Sequence, residues 1–147
     1  MNGMTRRRFA WTLVGVLMCL TASPARAAAE FKVIAHTSVR VSHVSPDELR
    51  GVFLETRTSL ADGSHVEPVL LKSGDVHDTF VKQYTGKTTA GLENYYRSLV
   101  FTGKGAIPKT LRSDAEVVAY VKNTRGAIGY VSFDAITEGV NVLDVVK

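Results

Sequence analysis

Alternating apolar runs and amphipathic segments predict a single α/β domain in this 147-residue chain. Three observations carry that expectation. Ser45-Pro46-Asp47-Glu48 and Ser113-Asp114-Ala115-Glu116 are each a capping box opening a helix. The apolar run Val66 to Leu71 leads through Lys72-Ser73-Gly74 into an amphipathic segment. Gly126-Ala127-Ile128-Gly129-Tyr130-Val131 reads as a buried strand flanked by glycines.

Phe31 to Ala35 predicts a first strand, succeeded by the polar loop His36-Thr37-Ser38. Ser45 is the expected N-cap of a short helix with Pro46 at N1 and Leu49, Val52 and Phe53 turned inward, ending near Leu54. Ala61-Asp62-Gly63-Ser64 is a turn before the Val66 to Leu71 strand. A helix from Asp75 carries Val76, Phe80 and Val81 on one side and stops at Gly86. Thr89 to Phe101 predicts a further helix with Leu92, Tyr95, Tyr96, Leu99 and Val100 apolar. A helix from Ser113 to about Asn123 carries Val117, Val118 and Val121, and Val140 to Val146 predicts a last strand.

The first 27 residues read as a secretory signal. Arg6, Arg7 and Arg8 form a basic start, Phe9 to Ala22 an apolar run, and Ala25-Arg26-Ala27 a small-x-small cleavage pattern. The apolar run is shorter than the roughly 20 residues that a membrane span needs. Thr5-Arg6-Arg7-Arg8-Phe9 also resembles a twin-arginine motif, so the general secretory and twin-arginine routes both fit. The expectation is a periplasmic or secreted domain, residues 28–147, released by cleavage near Ala27. The chain's net charge of +4 then belongs to the leader, because four of its basic residues (Arg6, Arg7, Arg8, Arg26) lie there. Residues 28–147 carry equal numbers of acidic and basic side chains, with no basic stripe for nucleic acid. The single cysteine, Cys19, leaves with the leader, so disulfide and thiol chemistry are not expected.

Residues 72–75 are the strongest candidate site. A helix start presents unpaired N–H groups and a partial positive charge. Lys72 adds a full charge, Ser73 a hydroxyl, and Gly74 permits close backbone approach, which together suit an oxyanion. The same residues also suit an ordinary cap, with Ser73 bonding the N–H groups of the first turn. Thr37 and Ser38 join the candidate set because they come directly after the first strand, where open α/β sheets place ligands. Thr102, in the Gly-rich loop Phe101-Thr102-Gly103-Lys104-Gly105, joins it as a loop hydroxyl that could line a groove. Its alternative is a helix C-terminal cap.

Other constellations fall short of chemistry. Thr85-Gly86-Lys87-Thr88 mimics the end of a Walker loop but has Val81 where the first glycine belongs, so helix stop and restart is expected. His36, His43, His65 and His77 lack metal-ligand spacing, and no metal or cofactor is expected. Ser73 and His77 are spaced i, i+4, yet no orienting acid or oxyanion hole completes a catalytic set, so no catalytic residue is assigned and the chain reads as a non-enzyme.

The ordered set Glu48-Leu49-Arg50-Gly51-Val52-Phe53-Leu54, Asp62-Gly63, Ser73-Gly74 with Phe80, and Gly126 to Val131 resembles the second lobe of periplasmic phosphate-binding proteins of ABC transporters. The resemblance spans about Phe31 to Val146. It implies a stand-alone periplasmic-binding-protein-like lobe, a mixed sheet with flanking helices, and recognition of phosphate or another small oxyanion. It also places an arginine four residues before the serine and a threonine after the glycine, where this chain has Val69 and Asp75. Only Ser73 and Gly74 carry over. The alternative is a ligand-free module that docks to a membrane transporter or sensor.

Overall fold

The computed structural model describes residues 30–147. The expected leader, residues 1–27, lies outside the described residues. Six strands form one mixed sheet: β1 (Phe31–Ala35), β2 (His43–Val44), β3 (Glu67–Leu71), β4 (Lys109–Leu111), β5 (Ala127–Ser132) and β6 (Asn141–Val145). Their spatial order is β2-β6-β1-β5-β3-β4. The helices are α1 (Pro46–Phe53), α2 (Asp75–Thr85), α3 (Thr89–Phe101) and α4 (Asp114–Asn123). The expected α/β architecture is the observed one.

Strand direction sets the two ends of the molecule. β3 runs parallel to β5 and to β4, whereas β1 is antiparallel to both β5 and β6. Phe31 lies opposite Ser132 and Ala35 opposite Ile128. The start of β1 therefore shares an end of the sheet with the C-terminal end of β3.

Local chemistry fixes the helix limits. The Ser45 hydroxyl accepts the Glu48 N–H, and the Glu48 carboxylate accepts the Ser45 N–H, so the first capping box is complete. The second is not. Ser113 accepts the Glu116 N–H, but the Glu116 carboxylate takes the N–H of Arg112 at 2.8 Å, one residue before the cap. Gly86 ends α2 in the left-handed conformation and Thr88 caps α3, so the Walker-like stretch is a helix stop and restart.

The core forms on both faces of the sheet. Tyr130 turns toward α1 and α2, stacking on Phe80 with centroids 3.8 Å apart, and Phe80 meets Phe53 edge-on at 4.8 Å. On the opposite face Gly129 lets α4 approach: a Cβ there would stand 3.2 Å from Val117 Cγ1 and from the Val69 carbonyl. Val69 is itself buried in the sheet. Edge-on ring pairs of this kind add about 0.5–1.5 kcal/mol each beyond their buried area.

Candidate functional site

β3 pairs with β4 one residue beyond its own end, because the Lys72 N–H donates to the Leu111 carbonyl at 2.7 Å. The chain then leaves the sheet through Ser73 and Gly74. Gly74 has φ 114° and ψ 166°, a region that essentially only glycine occupies. Gly74, not Ser73, is the N-cap of α2, and there is no side-chain cap hydrogen bond. The expected Ser73 cap is therefore absent, since the cap position falls on a residue without a side chain, and Ser73 stays exposed. The positive end of the helix dipole lies at this turn, with Asp75 and Asp78 in the first turn.

Beside this turn lies a cavity of about 250 Å³ bounded by the ends of β3 and β4, the first turn of α2 and the first two turns of α3. Leu70, Leu71, Leu92 and Tyr96 form its apolar wall, and Lys72, Thr89, Glu93, Arg97 and Thr110 supply polar groups. The Thr89 hydroxyl donates to the Asp78 carboxylate and ties the starts of α2 and α3 together. Arg97 pairs loosely with Glu93, 3.7 Å away on the same helix face.

His77 is buried at this cavity, 4% exposed, with Nδ1 2.5 Å from the Tyr130 hydroxyl. Burial pushes its pKa below the ordinary value, against the opposing pull of Asp78 and Glu93. Burial also pushes the Tyr130 and Tyr96 phenols well above their ordinary range. The Tyr96 ring lines the cavity while its hydroxyl donates to the Phe53 carbonyl, and Tyr95 donates to the Leu54 carbonyl at 2.7 Å. His77 is thus bonded to Tyr130 rather than to Ser73. Among the described residues no group of three or more His, Cys, Asp or Glu side chains is placed to hold a metal ion.

The residues expected to form one site are distributed over three places. Lys72, Ser73 and Gly74 lie together at the turn. Thr37 and Ser38 lie at the opposite end of the sheet, in a shallow depression with Arg40, Asp62 and Arg125. They do follow the first strand, but β1 runs antiparallel to β5 and β3 parallel to it, so the end of β1 lies away from the end of β3. Ser38 is instead structural: its hydroxyl lies 2.8 Å from His36 Nδ1 and accepts the Gly126 N–H at 3.2 Å. Thr102 is the C-cap of α3, its hydroxyl donating to the Ser98 carbonyl at 2.9 Å, a full helix length from Thr89.

Thr89, Arg97, Thr110 and His77 were not among the expected site residues. Thr89, Glu93 and Arg97 repeat at i, i+4, i+8 beside the Leu92–Tyr96 pair, a polar stripe next to an apolar one that the sequence does display. Thr110 sits on β4, a strand that no sequence pattern announced.

No protein-family model matches the sequence, and no characterised protein matches it. Solved structures do. A protein from Clostridium perfringens described as a phosphate ABC transporter substrate-binding protein, solved with bound phosphate, aligns with a TM-score of 0.61 at 16% identity, over 80% of this chain and 45% of that one. An ABC-type phosphate transport receptor from Vibrio cholerae aligns with a TM-score of 0.59 at 12% identity, over 78% of this chain and 45% of the receptor. The chain thus spans less than half the length of the structures it matches. The likeness gives this chain the fold of a single lobe of the phosphate ABC transporter substrate-binding proteins.

Proposed function

We propose that this chain is an exported solute-binding-like domain that holds a small oxyanion such as phosphate where β3 turns into α2. One observation carries the reading: Lys72 and Arg97, from different elements, border one cavity next to a helix start whose N-cap is a glycine. Lys72, Ser73 and Gly74 are the anion contacts, with Thr89 and Thr110 as hydroxyl donors. Export rests on the leader read in residues 1–27. The likeness to a structure solved with bound phosphate supports the ligand class.

Thermal unfolding of the chain against phosphate, sulfate, molybdate and phosphonates tests this. A ligand present at about 100 times its dissociation constant adds roughly 2.7 kcal/mol, a shift of several degrees in Tm. A shift selective for one oxyanion supports the site, and Lys72→Ala should then abolish most of it. No shift with any of them overturns the reading.

The second reading is a ligand-free module that docks to a membrane transporter or sensor. The burial of Val69, where the resemblance places an arginine, favours it, as do the exposed side chains Phe133 and Ile136. Among the described residues no helix is long and apolar enough to cross a membrane.

A further inference from the structure

We infer that His77 is the recognition donor of the cavity beside β3, and that the cavity takes a small organic anion in preference to a bare inorganic oxyanion. The inference rests on the proposal that this cavity is an anion site.

The geometry starts from the imidazole. Nδ1 is engaged by the Tyr130 hydroxyl at 2.5 Å, whereas among the described residues no hydrogen-bond partner is found for Nε2. Yet among the described residues no fully buried side-chain nitrogen or oxygen lacks a partner. Nε2 therefore reaches open space, and the open space that His77 borders is the cavity. A ring 4% exposed, with one nitrogen held from behind and the other open into a pocket, is aimed at whatever enters.

Tyr130 also selects the tautomer. Among the described residues Nδ1 is the one hydrogen-bond partner of the buried Tyr130 hydroxyl, so the phenol O–H, which would otherwise be buried without an acceptor, donates to it. A neutral imidazole whose Nδ1 accepts carries its proton on Nε2. His77 then presents an N–H, matched to an acceptor group, and burial keeps it neutral. Tyr130 acts through His77 and is a positioning residue.

Size and lining define the ligand's other half. At about 30 Å³ of liquid volume per water, the cavity holds on the order of eight water-sized volumes, and one central atom with four oxygens leaves much of it empty. The remaining wall is Leu70, Leu92 and the Tyr96 ring, with Ile107 at the mouth. Lys72 and Arg97 outweigh Glu93 by one positive charge. An anionic head against His77, Lys72 and Arg97, with an apolar body against Leu70 and Leu92, satisfies both halves.

Calorimetric titration of the full chain with phenylphosphonate and with inorganic phosphate, together with nitrogen NMR of His77, tests the inference. Phenylphosphonate should bind about tenfold or more tightly than phosphate, the equivalent of burying one apolar ring. His77→Phe should weaken phenylphosphonate about tenfold, and His77→Gln, which restores a donor, should recover most of that loss. The NMR spectrum should show Nε2 protonated and Nδ1 accepting before ligand is added, a readout that holds even where a variant does not fold. A proton on Nδ1, equal affinities for the two anions, or unchanged affinity in folded His77→Phe would each overturn the inference. Phosphate binding without those effects leaves the proposed oxyanion site standing and removes this refinement. Binding of neither anion removes the oxyanion reading itself, and the refinement with it.

Discussion

One carboxylate oxygen of Glu48 accepts the backbone N–H of Ala61 at 2.8 Å, while the other accepts the N–H of Ser45 at 2.9 Å. A single side chain therefore caps α1 and fastens the loop that precedes β3. Arg57 stands 3.7 Å from the same carboxylate, whose side chain is 14% exposed.

Removing that carboxylate should be costly for a helix-surface residue. Glu48→Ala is expected to destabilise the fold by about 1–3 kcal/mol, since a cap and a loop bond are lost together. The hydrogen bond from the Ser45 backbone is the largest cause holding the Glu48 pKa below its ordinary 4.5. Its contribution is complete above about pH 4.5 and is lost as pH falls through the folded value. Denaturant titration of both proteins across that range checks this: the difference between them should shrink on acidification.

Gly126 is irreplaceable for two reasons at once. Its φ is +80°, and a Cβ would lie 2.8 Å from the His65 carbonyl oxygen, which is backbone and cannot swing aside. Gly126→Ala should cost more than about 2 kcal/mol. Gly63 has a similar φ of +82° but open space around it, so Gly63→Ala should cost only about 1 kcal/mol. Equal costs in chemical denaturation would show that the contact with His65 contributes nothing.

Acid should also act through His77. Burial lowers its folded pKa below 6.5, so the unfolded chain binds more protons between the two values. Stability is full above about pH 6.5 and falls as pH drops toward the folded value. Asp78 and Glu93 limit the loss by favouring the charged ring, and Lys72 and Arg97 face the same cavity with the opposite effect. In His77→Gln this segment of the stability–pH profile should flatten, and a retained slope would assign it to other groups.

Ser73→Ala should leave stability within about 0.5 kcal/mol of the parent, because the exposed hydroxyl caps nothing. Any loss of anion affinity in that variant then reports on the ligand directly. A drop in Tm without ligand would mean that the hydroxyl does bond the first turn of α2.

Much of the fold was legible because its signals are local. Ser45 with Glu48, the stop at Gly86 and the cap at Ser113 lie within a turn of the helices they bound, and four of the strands are apolar runs. β2 and β4 were not legible: they are two and three residues long, and Lys109 and Thr110 on β4 are exposed and polar. Glu116 reaching Arg112 instead of Ser113 is a choice between two nearby N–H groups that the motif alone does not make.

The candidate site divided along the same line. The sequence by itself determined the turn at Lys72-Ser73-Gly74, because a strand, a glycine and a helix in succession leave few conformations for the chain. Only the tertiary structure decided what stands beside it. Whether Thr37 and Ser38 join Lys72 depends on the direction of β1, which is set by its antiparallel pairing with β5, nearly a hundred residues later. His77 meets Tyr130 across 53 residues, and Thr110 and Arg97 reach the cavity only because β4 and α3 pack against β3 and α2. Capping and periodicity act within a few residues. A pocket is made by side chains brought together from distant segments, and their meeting is fixed by strand pairing and core packing.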